Sequence, residues 1–295
     1  MSQHALGHIL IHRIVESICA DFDPLTFFPE TTADDWARHR KWMEQEPRAL
    51  DSSSGNLILT IQAFLVRTRH HTILVDTCVG NDKSRPRRPF WHMQRLNTFL
   101  PRLAAAGVTA DQVDYVMCTH LHTDHIGWNT QLRDGRWVPT FPNAKYIFAR
   151  KEWDSWEVLH RETSQQHLVD SVLPVIEARQ AQFVNEDFSL DDEVSLEPTP
   201  GHTAGHVSIH LSSGDAHAVI TGDCIHSPVQ CFEPGWIMQA DSDPALARTT
   251  RRNFLERYCD SSALVCATHF PAPSIGRVVR HDSAFRFNYG TDSSS

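Results

Sequence analysis

Four apolar, strand-like runs of this chain each end in a residue able to hold a metal ion, and that repeated pattern limits what the chain can fold into. The sharpest is Cys118-Thr119-His120-Leu121-His122-Thr123-Asp124-His125-Ile126-Gly127, which closes the short apolar run Asp114 to Cys118. Past a strand end, side chains at i and i+2 point the same way, so His120 and His122 face one ion. Once the chain turns, Asp124 and His125 face a second. Ionisable groups packed so tightly are costly unless a cation compensates them. The segment Thr199-Pro200-Gly201-His202-Thr203-Ala204-Gly205-His206 presents His202 on a tight, glycine-flanked path. Val219-Ile220-Thr221-Gly222-Asp223 ends in a carboxylate whose two oxygens can bridge two cations. Leu264-Val265-Cys266-Ala267-Thr268-His269 again runs from strand to histidine.

The rest of the chain reads as α/β. Ile9 to Val15 is β-branched enough for a strand, and a helix is expected over Ala33 to Glu46, with Thr32 as cap and Asp35 three residues on. Leu57 to Val66 and Thr72 to Val75 form two strands joined through Arg69 and His70. Trp91 to Ala106 reads as a helix with Leu96, Phe99, Leu100 and Leu103 on one face, stopped by Gly107. Lys145 to Phe148, Glu193 to Glu197, Val207 to Leu211 and Ala218 to Thr221 are strand-like, and a helix runs from Asp243 and Pro244 to about Tyr258. Two batches of strands, each followed by helix, imply two sheets with helices outside, an αββα sandwich. We expect one domain over residues 1–290, with a strand and cap-like segment in 1–55 and a disordered tail at 291–295.

Composition narrows the function. The chain has 295 residues, with 27 Lys and Arg against 36 Asp and Glu, a net charge of −9. That balance argues against a nucleic-acid partner, which requires a basic face. No apolar run reaches membrane-spanning length, and the N-terminus shows no charged-then-apolar leader. Seven scattered cysteines without a CxxC pair point to free thiols in a reducing, cytoplasmic setting. The 19 histidines are the outlying number, since histidine is the commonest metal ligand.

The ordered set His-x-His-x-Asp-His, Gly-His, Gly-Asp and final His resembles the metallo-β-lactamase-fold superfamily, over roughly Asn56 to Phe270. The resemblance implies one metal on His120, His122 and His202, a second on Asp124, His125 and His269, and Asp223 between them. It also implies that Asp76, in Ile73-Leu74-Val75-Asp76-Thr77, orients a ligand. An all-nitrogen-and-oxygen set suits two zinc ions, with manganese, iron or cobalt as alternatives. Two such cations generate hydroxide near neutral pH, and hydrolysis follows.

Asp124 is also a candidate for orienting the nucleophile. His226, three residues after Asp223, stands where lactonases of the superfamily often carry a tyrosine, and is a candidate hydrogen-bond or proton donor. His206 reads as a strand histidine supporting the loop. Phe27 and Phe28 of a cap-like segment, with Trp128, Phe232, Trp236 and Phe270, are candidate walls of an apolar pocket. Lys83-Ser84-Arg85-Pro86-Arg87-Arg88-Pro89 reads as a solvated basic loop. The motifs are most similar to the lactonase and methyl parathion hydrolase-like group. Ester or lactone hydrolysis of a small substrate is therefore expected, with phosphotriester hydrolysis as its neighbour. A persulfide dioxygenase-like oxidoreductase with one iron is the reading from another class. The segment before Asn56 is long enough to cover the chain's own site or a second copy, which leaves a homodimer open.

Overall fold

A computed structural model describes residues 3–45 and 48–289. The expected tail at 291–295 and the last residue of the helix expected over Ala33 to Glu46 lie outside the described residues. The chain forms two compact units, one built on residues up to 17 with 61–188, the other on 18–60 with the chain from 189 onward.

The first unit is centred on a mixed seven-stranded sheet of order β1-β2-β3-β4-β5-β8-β9. Its strands are β1 (Gln3–Leu6), β2 (Ile9–Phe22), β3 (Leu57–Arg67), β4 (Thr72–Val75), β5 (Tyr115–Met117), β8 (Lys145–Ala149) and β9 (Ala181–Val184). A small hairpin, β6 (Thr130–Arg133) with β7 (Arg136–Pro139), lies between β5 and β8 in sequence. β4, β5, β8 and β9 run parallel. Parallel strands are buried on both faces, and Ile73, Leu74, Val75, Val116, Met117, Ile147 and Phe148 are all in the core. The second unit holds a six-stranded sheet of order β10 to β15: β10 (Val194–Pro198), β11 (Val207–Ser213), β12 (Ala216–Ile220), β13 (Leu264–Cys266), β14 (Ile275–His281) and β15 (Ala284–Tyr289). Only β12 and β13 are parallel there.

The helices are α1 (Pro24–Phe27), α2 (Ala33–Met43), α3 (Phe99–Ala105), α4 (Arg150–Glu162), α5 (Gln166–Ser171), α6 (Leu173–Glu177), α7 (Val229–Phe232) and α8 (Pro244–Tyr258). Two large mixed sheets flanked by helices are the α/β architecture expected from the sequence. Thr32 and Asp35 form the expected reciprocal cap at the start of α2. Asp243 caps α8, with Pro244 in the first turn, and the helix ends at Tyr258 as expected. Its Phe254, Leu255 and Tyr258 pack with Val265, Val278, Phe285 and Phe287 in one buried cluster.

Two expectations are corrected. The helix expected over Trp91 to Ala106 exists only as α3. Residues before it are claimed by the 81–83 loop: Asn81 exchanges hydrogen bonds with both Leu96 backbone groups, Asp82 N donates to Gln94 O, and Met93 N donates to Lys83 O. A backbone paired in this way has no groups left for a helical ladder.

The basic loop is not wholly solvated. Lys83 and Arg85 are buried. Arg85 clamps both oxygens of buried Asp170, at 2.7 and 2.8 Å. Lys83 Nζ donates to Thr130 Oγ1 and Asp170 O and lies 3.7 Å from the centroid of the Trp137 ring. Burial pushes the Lys83 ammonium down to about 7 despite the pull of the Asp170 carboxylate.

Arg85 is the true counter-ion of Asp170, so Arg85→Met will cost about 3–5 kcal/mol in denaturant melts, the usual result of orphaning a buried charge. Lys83→Met leaves that pair intact and will cost less. Its effect will also depend on pH. An unfolded lysine holds its proton up to about pH 10.5, so between pH 7 and 10.5 the unfolded chain binds more protons and the wild type gains stability as pH rises. The difference between wild type and Lys83→Met will therefore shift toward the wild type across that window. A pH-independent difference would contradict the assignment.

Candidate metal centre and active site

All the donors but His202 leave the sheets at the carboxyl ends of adjacent parallel strands, the usual place for a site in such sheets. In the first unit, Val75 of β4 stands beside Met117 of β5, and the loops that follow carry Asp76 and residues 118–126. Asp76 adopts φ +60°, a left-handed conformation that aspartate tolerates better than most residues. Its Oδ1 accepts from Thr119 N at 2.8 Å, and its Oδ2 pairs with His125 Nδ1 at 2.8 Å. One buried carboxylate thus holds the start of the loop and one of its histidines.

His120 and His125 are fully buried, with ring centroids 4.0 Å apart. His120 Nε2 lies 3.0 Å from His122 Nδ1, and Asp124 Oδ2 is 3.8 Å from His125 Nε2. Asp124 is partly exposed. Two carboxylates that sequence reasoning missed brace this loop. Glu152 of α4 accepts from Leu121 N at 3.0 Å, between the two histidines, and from Trp156 Nε1 at 2.7 Å. The ring of Trp156 in turn lies edge-on to His122, at 5.5 Å. Glu16 of β2 accepts from Val79 N, Gly80 N and Trp128 Nε1. Burial pushes its carboxyl up, against those hydrogen bonds. Here the backbone of Gly127 crosses that of Val79 and Gly80, so a Cβ on Gly127 would sit 1.8 Å from Val79 O.

In the second unit, Ile220 of β12 stands beside Cys266 of β13, and the chain continues to Asp223 on one strand and His269 on the other. Gly222 turns the chain at φ +52°. His202 lies in the β10–β11 turn, where Ser242 N and Asp243 N donate to the carbonyls of His202 and Gly201. A side chain on Gly201 would collide with the start of α8, 2.3 Å from Ala247 N.

The buried Asp223 carboxylate sits between two histidines. His202 Nε2 is 3.2 Å from its Oδ2, and His269 Nε2 is 2.9 Å from its Oδ1. His226 Nε2 lies 3.1 Å from Oδ2. His206 accepts from Asp223 N at 2.8 Å through Nε2 and meets Thr199 Oγ1 through Nδ1, so it supports the carboxylate's backbone. His202 Nδ1 pairs with Asp241 Oδ1 at 2.8 Å, and His269 Nδ1 donates to Thr60 O at 3.0 Å. Burial lowers the pKa of His202, but Asp223 and Asp241 outweigh it and hold it at about 9. Burial pushes His226 down.

These contacts test whether a metal suits the residues. His125, His202 and His269 each engage an oxygen through Nδ1. That partner keeps a proton on Nδ1, so Nε2 is the nitrogen an ion would take, displacing the second proton that His202 carries. With only imidazole and carboxylate donors, the set matches zinc or a related divalent ion.

The candidate pocket residues divide. Phe27 lies edge-on to His226 at 5.7 Å, and Phe28, Trp36 and Trp236 pack together beside it, with Trp36 and Trp236 4.9 Å apart. Phe232 extends this wall against Trp42 and His39. Trp128 lines a cavity with Asn81, Leu96 and Leu132 that contains none of the donors. It is buried, stacked on Phe99 and bonded to Glu16. Phe270 is likewise core, against Phe287. Both follow a donor closely in sequence, but the chain turns them inward. Asp241 had no sequence signal, because its partner lies 39 residues away.

Comparison with known proteins agrees with this geometry. The family model of the metallo-beta-lactamase superfamily matches residues 59–269. An N-acyl homoserine lactonase of Bacillus thuringiensis is 26% identical over 225 residues, covering 70% of this chain and 83% of the relative. Among solved structures, AidC, a dizinc quorum-quenching lactonase in complex with a product, N-hexanoyl-L-homoserine, matches with TM-score 0.80 at 22% identity. It covers 98% of this chain and 97% of its own. The hydrolase AbOPH in the beta lactamase superfamily matches with TM-score 0.80 at 23% identity, covering 99% and 98%. Since the family match runs unbroken from β3 to the last strand-end histidine and takes in every donor between them, the chain belongs to the metallo-beta-lactamase superfamily.

Proposed function

We propose that this metal-dependent hydrolase opens the lactone ring of an N-acyl homoserine lactone or a closely similar acyl lactone. His120, His122, His202 and Asp223 would hold one zinc ion, and Asp124, His125 and His269 the other, with Asp223 shared. The observation that carries this reading is the Asp223 carboxylate, which offers one oxygen beside His202 Nε2 and the other beside His269 Nε2. A carboxylate so placed is suited to two cations rather than one. The acyl-lactone substrate rests on the names of the similar proteins and on the aromatic wall beside His226, which suits an apolar chain.

Two zinc ions held there would lower the pKa of water to near neutrality and offset charge on the carbonyl oxygen. The chain's own residues supply the rest. Phe27 and Trp236 bind the acyl chain and exclude water. Asp124, the donor open to solvent, orients the attacking water. His226 is neutral near pH 7 and donates a hydrogen bond to the oxygen on which charge develops. The water oxygen bonds to the carbonyl carbon as the ring C–O bond breaks; one proton of the water passes to the leaving oxygen and the other to solvent, and the product is an acyl homoserine carboxylate.

All seven cysteines are thiols, which supports a cytoplasmic setting. No helix among the described residues is long and apolar enough to cross a membrane. The −9 charge supports a small-molecule substrate over nucleic acid. A homodimer is compatible with this reading and not required by it.

Elemental analysis of protein purified without added metal will find about two zinc ions per chain. Hydrolysis of acyl lactones will exceed that of aryl esters and phosphotriesters, and chelation will abolish it. Preferred turnover of phosphotriesters would move the substrate class. One iron per chain with oxygen consumption and no hydrolysis would sink the proposal. His226→Phe will lower kcat about 100- to 1,000-fold, the usual loss for one oxyanion donor, with zinc content unchanged. A kcat near that of the wild type would remove His226 from the chemistry.

A further inference from the structure

We infer that Arg251 is a positioning residue that ties the orientation of His202 to the shape of the aromatic wall, an inference that rests on the zinc-lactonase reading for its substrate arm. Arg251 projects from α8 and is among the largest fully buried side chains of the protein, at 1% exposure. A guanidinium carries donors in a fixed plane and cannot shed its charge, so its burial has to be matched by acceptors.

The acceptors come from three separate stretches. Nε donates to Cys224 O at 3.0 Å, in the turn that carries Asp223. Nη1 donates to Pro234 O at 3.1 Å and to Trp236 O at 2.7 Å, in the loop that forms the wall. Nη2 reaches Asp241 Oδ2 at 3.3 Å. Asp241 holds His202 through its other oxygen and also accepts from Met238 N. Gln230 adds a second donor to Trp236 O, at 3.0 Å.

One rigid plane therefore meets the turn after Asp223, the carboxylate behind His202 and the backbone of Trp236. Trp236 in turn packs on Phe28 and Trp36. A shift of the plane toward any one of these contacts is a shift away from another. A lysine places a single ammonium at this point and cannot span all four acceptors. Rotating Asp241 to release His202 would strip the plane of its carboxylate partner. The metal-holding histidine and the substrate wall are thus set together.

The test compares Arg251→Lys and Asp241→Asn with the wild type. Unfolding temperature is measured on metal-free protein, zinc affinity by chelator competition, and KM and kcat on short- and long-chain acyl lactones. Arg251→Lys is expected to weaken zinc by about 10- to 100-fold, the usual range for a residue behind a ligand. It is also expected to raise KM for long chains more than for short ones. Asp241→Asn keeps the carbonyl contacts of Arg251, so it is expected to weaken zinc similarly and to leave the chain-length profile alone. If Arg251→Lys does not fold, Asp241→Asn still decides the link to His202, and wild-type zinc affinity in that variant overturns it. A lowered unfolding temperature with unchanged zinc affinity and unchanged KM ratios overturns the inference, because Arg251 would then serve stability alone. If the wild type turns over no lactone, the substrate reading fails, and the zinc affinities still decide whether Arg251 acts through His202.

Discussion

An imidazole can bind a metal through either nitrogen, and this protein removes the choice. His125 meets Asp76, His202 meets Asp241, and His269 meets the carbonyl of Thr60, in each case through Nδ1. With a proton held there, Nε2 is the nitrogen left to take an ion, and the ring cannot flip without losing a buried hydrogen bond. The surrounding structure follows from that requirement. Parallel strands end where the donors must begin, glycines let backbones pass closely behind them, and buried charges hold the loops from the far side. His125 in the first unit and His202 and His269 in the second are prepared by the same device.

How much of this is legible in the sequence depends on distance along the chain. The donor runs stand out because a buried strand and its terminal ligand are contiguous, as in Val219 to Asp223 or Leu264 to His269. The α8 helix is equally plain, since Asp243 and Pro244 mark its start locally. The residues that hold the donors are not plain. Asp241, Glu16, Glu152 and Arg251 look like any solvated charge until folding brings a distant partner to each. Lys83 and Arg85 show the same gap, since a run of basic residues usually signals a solvated surface and here two of them enclose Asp170. The helical face of Leu96, Phe99, Leu100 and Leu103 suggests an earlier helix start, but Asn81 and its neighbours take up the backbone groups of 93–96 first.

The aromatic candidates show a related limit. Proximity to a donor in sequence placed Trp128 and Phe270 in the pocket, yet both turn into the core. Phe27, far from any donor in sequence, lies edge-on to the His226 ring, and Phe28 packs against Phe27. Periodicity shows which side chains are apolar, and topology decides which apolar side chains meet the chemistry. The segment at 18–60 brings its aromatics to Trp236 within its own unit.

The crossing of Gly127 over Val79 and Gly80 has an evolutionary consequence. No side chain fits there: a Cβ on Gly127 would overlap the Val79 carbonyl, and one on Gly80 would lie 2.7 Å from the Gly127 carbonyl carbon. On the proposed reading, a lineage can exchange Phe27, Phe232 or Trp236 one at a time and drift toward new substrates, because each change alters one side chain and leaves the glycine crossing untouched. The two glycines have no neighbouring solution to drift into. The molecule is thus divided into a part whose history can be gradual and a part inherited whole.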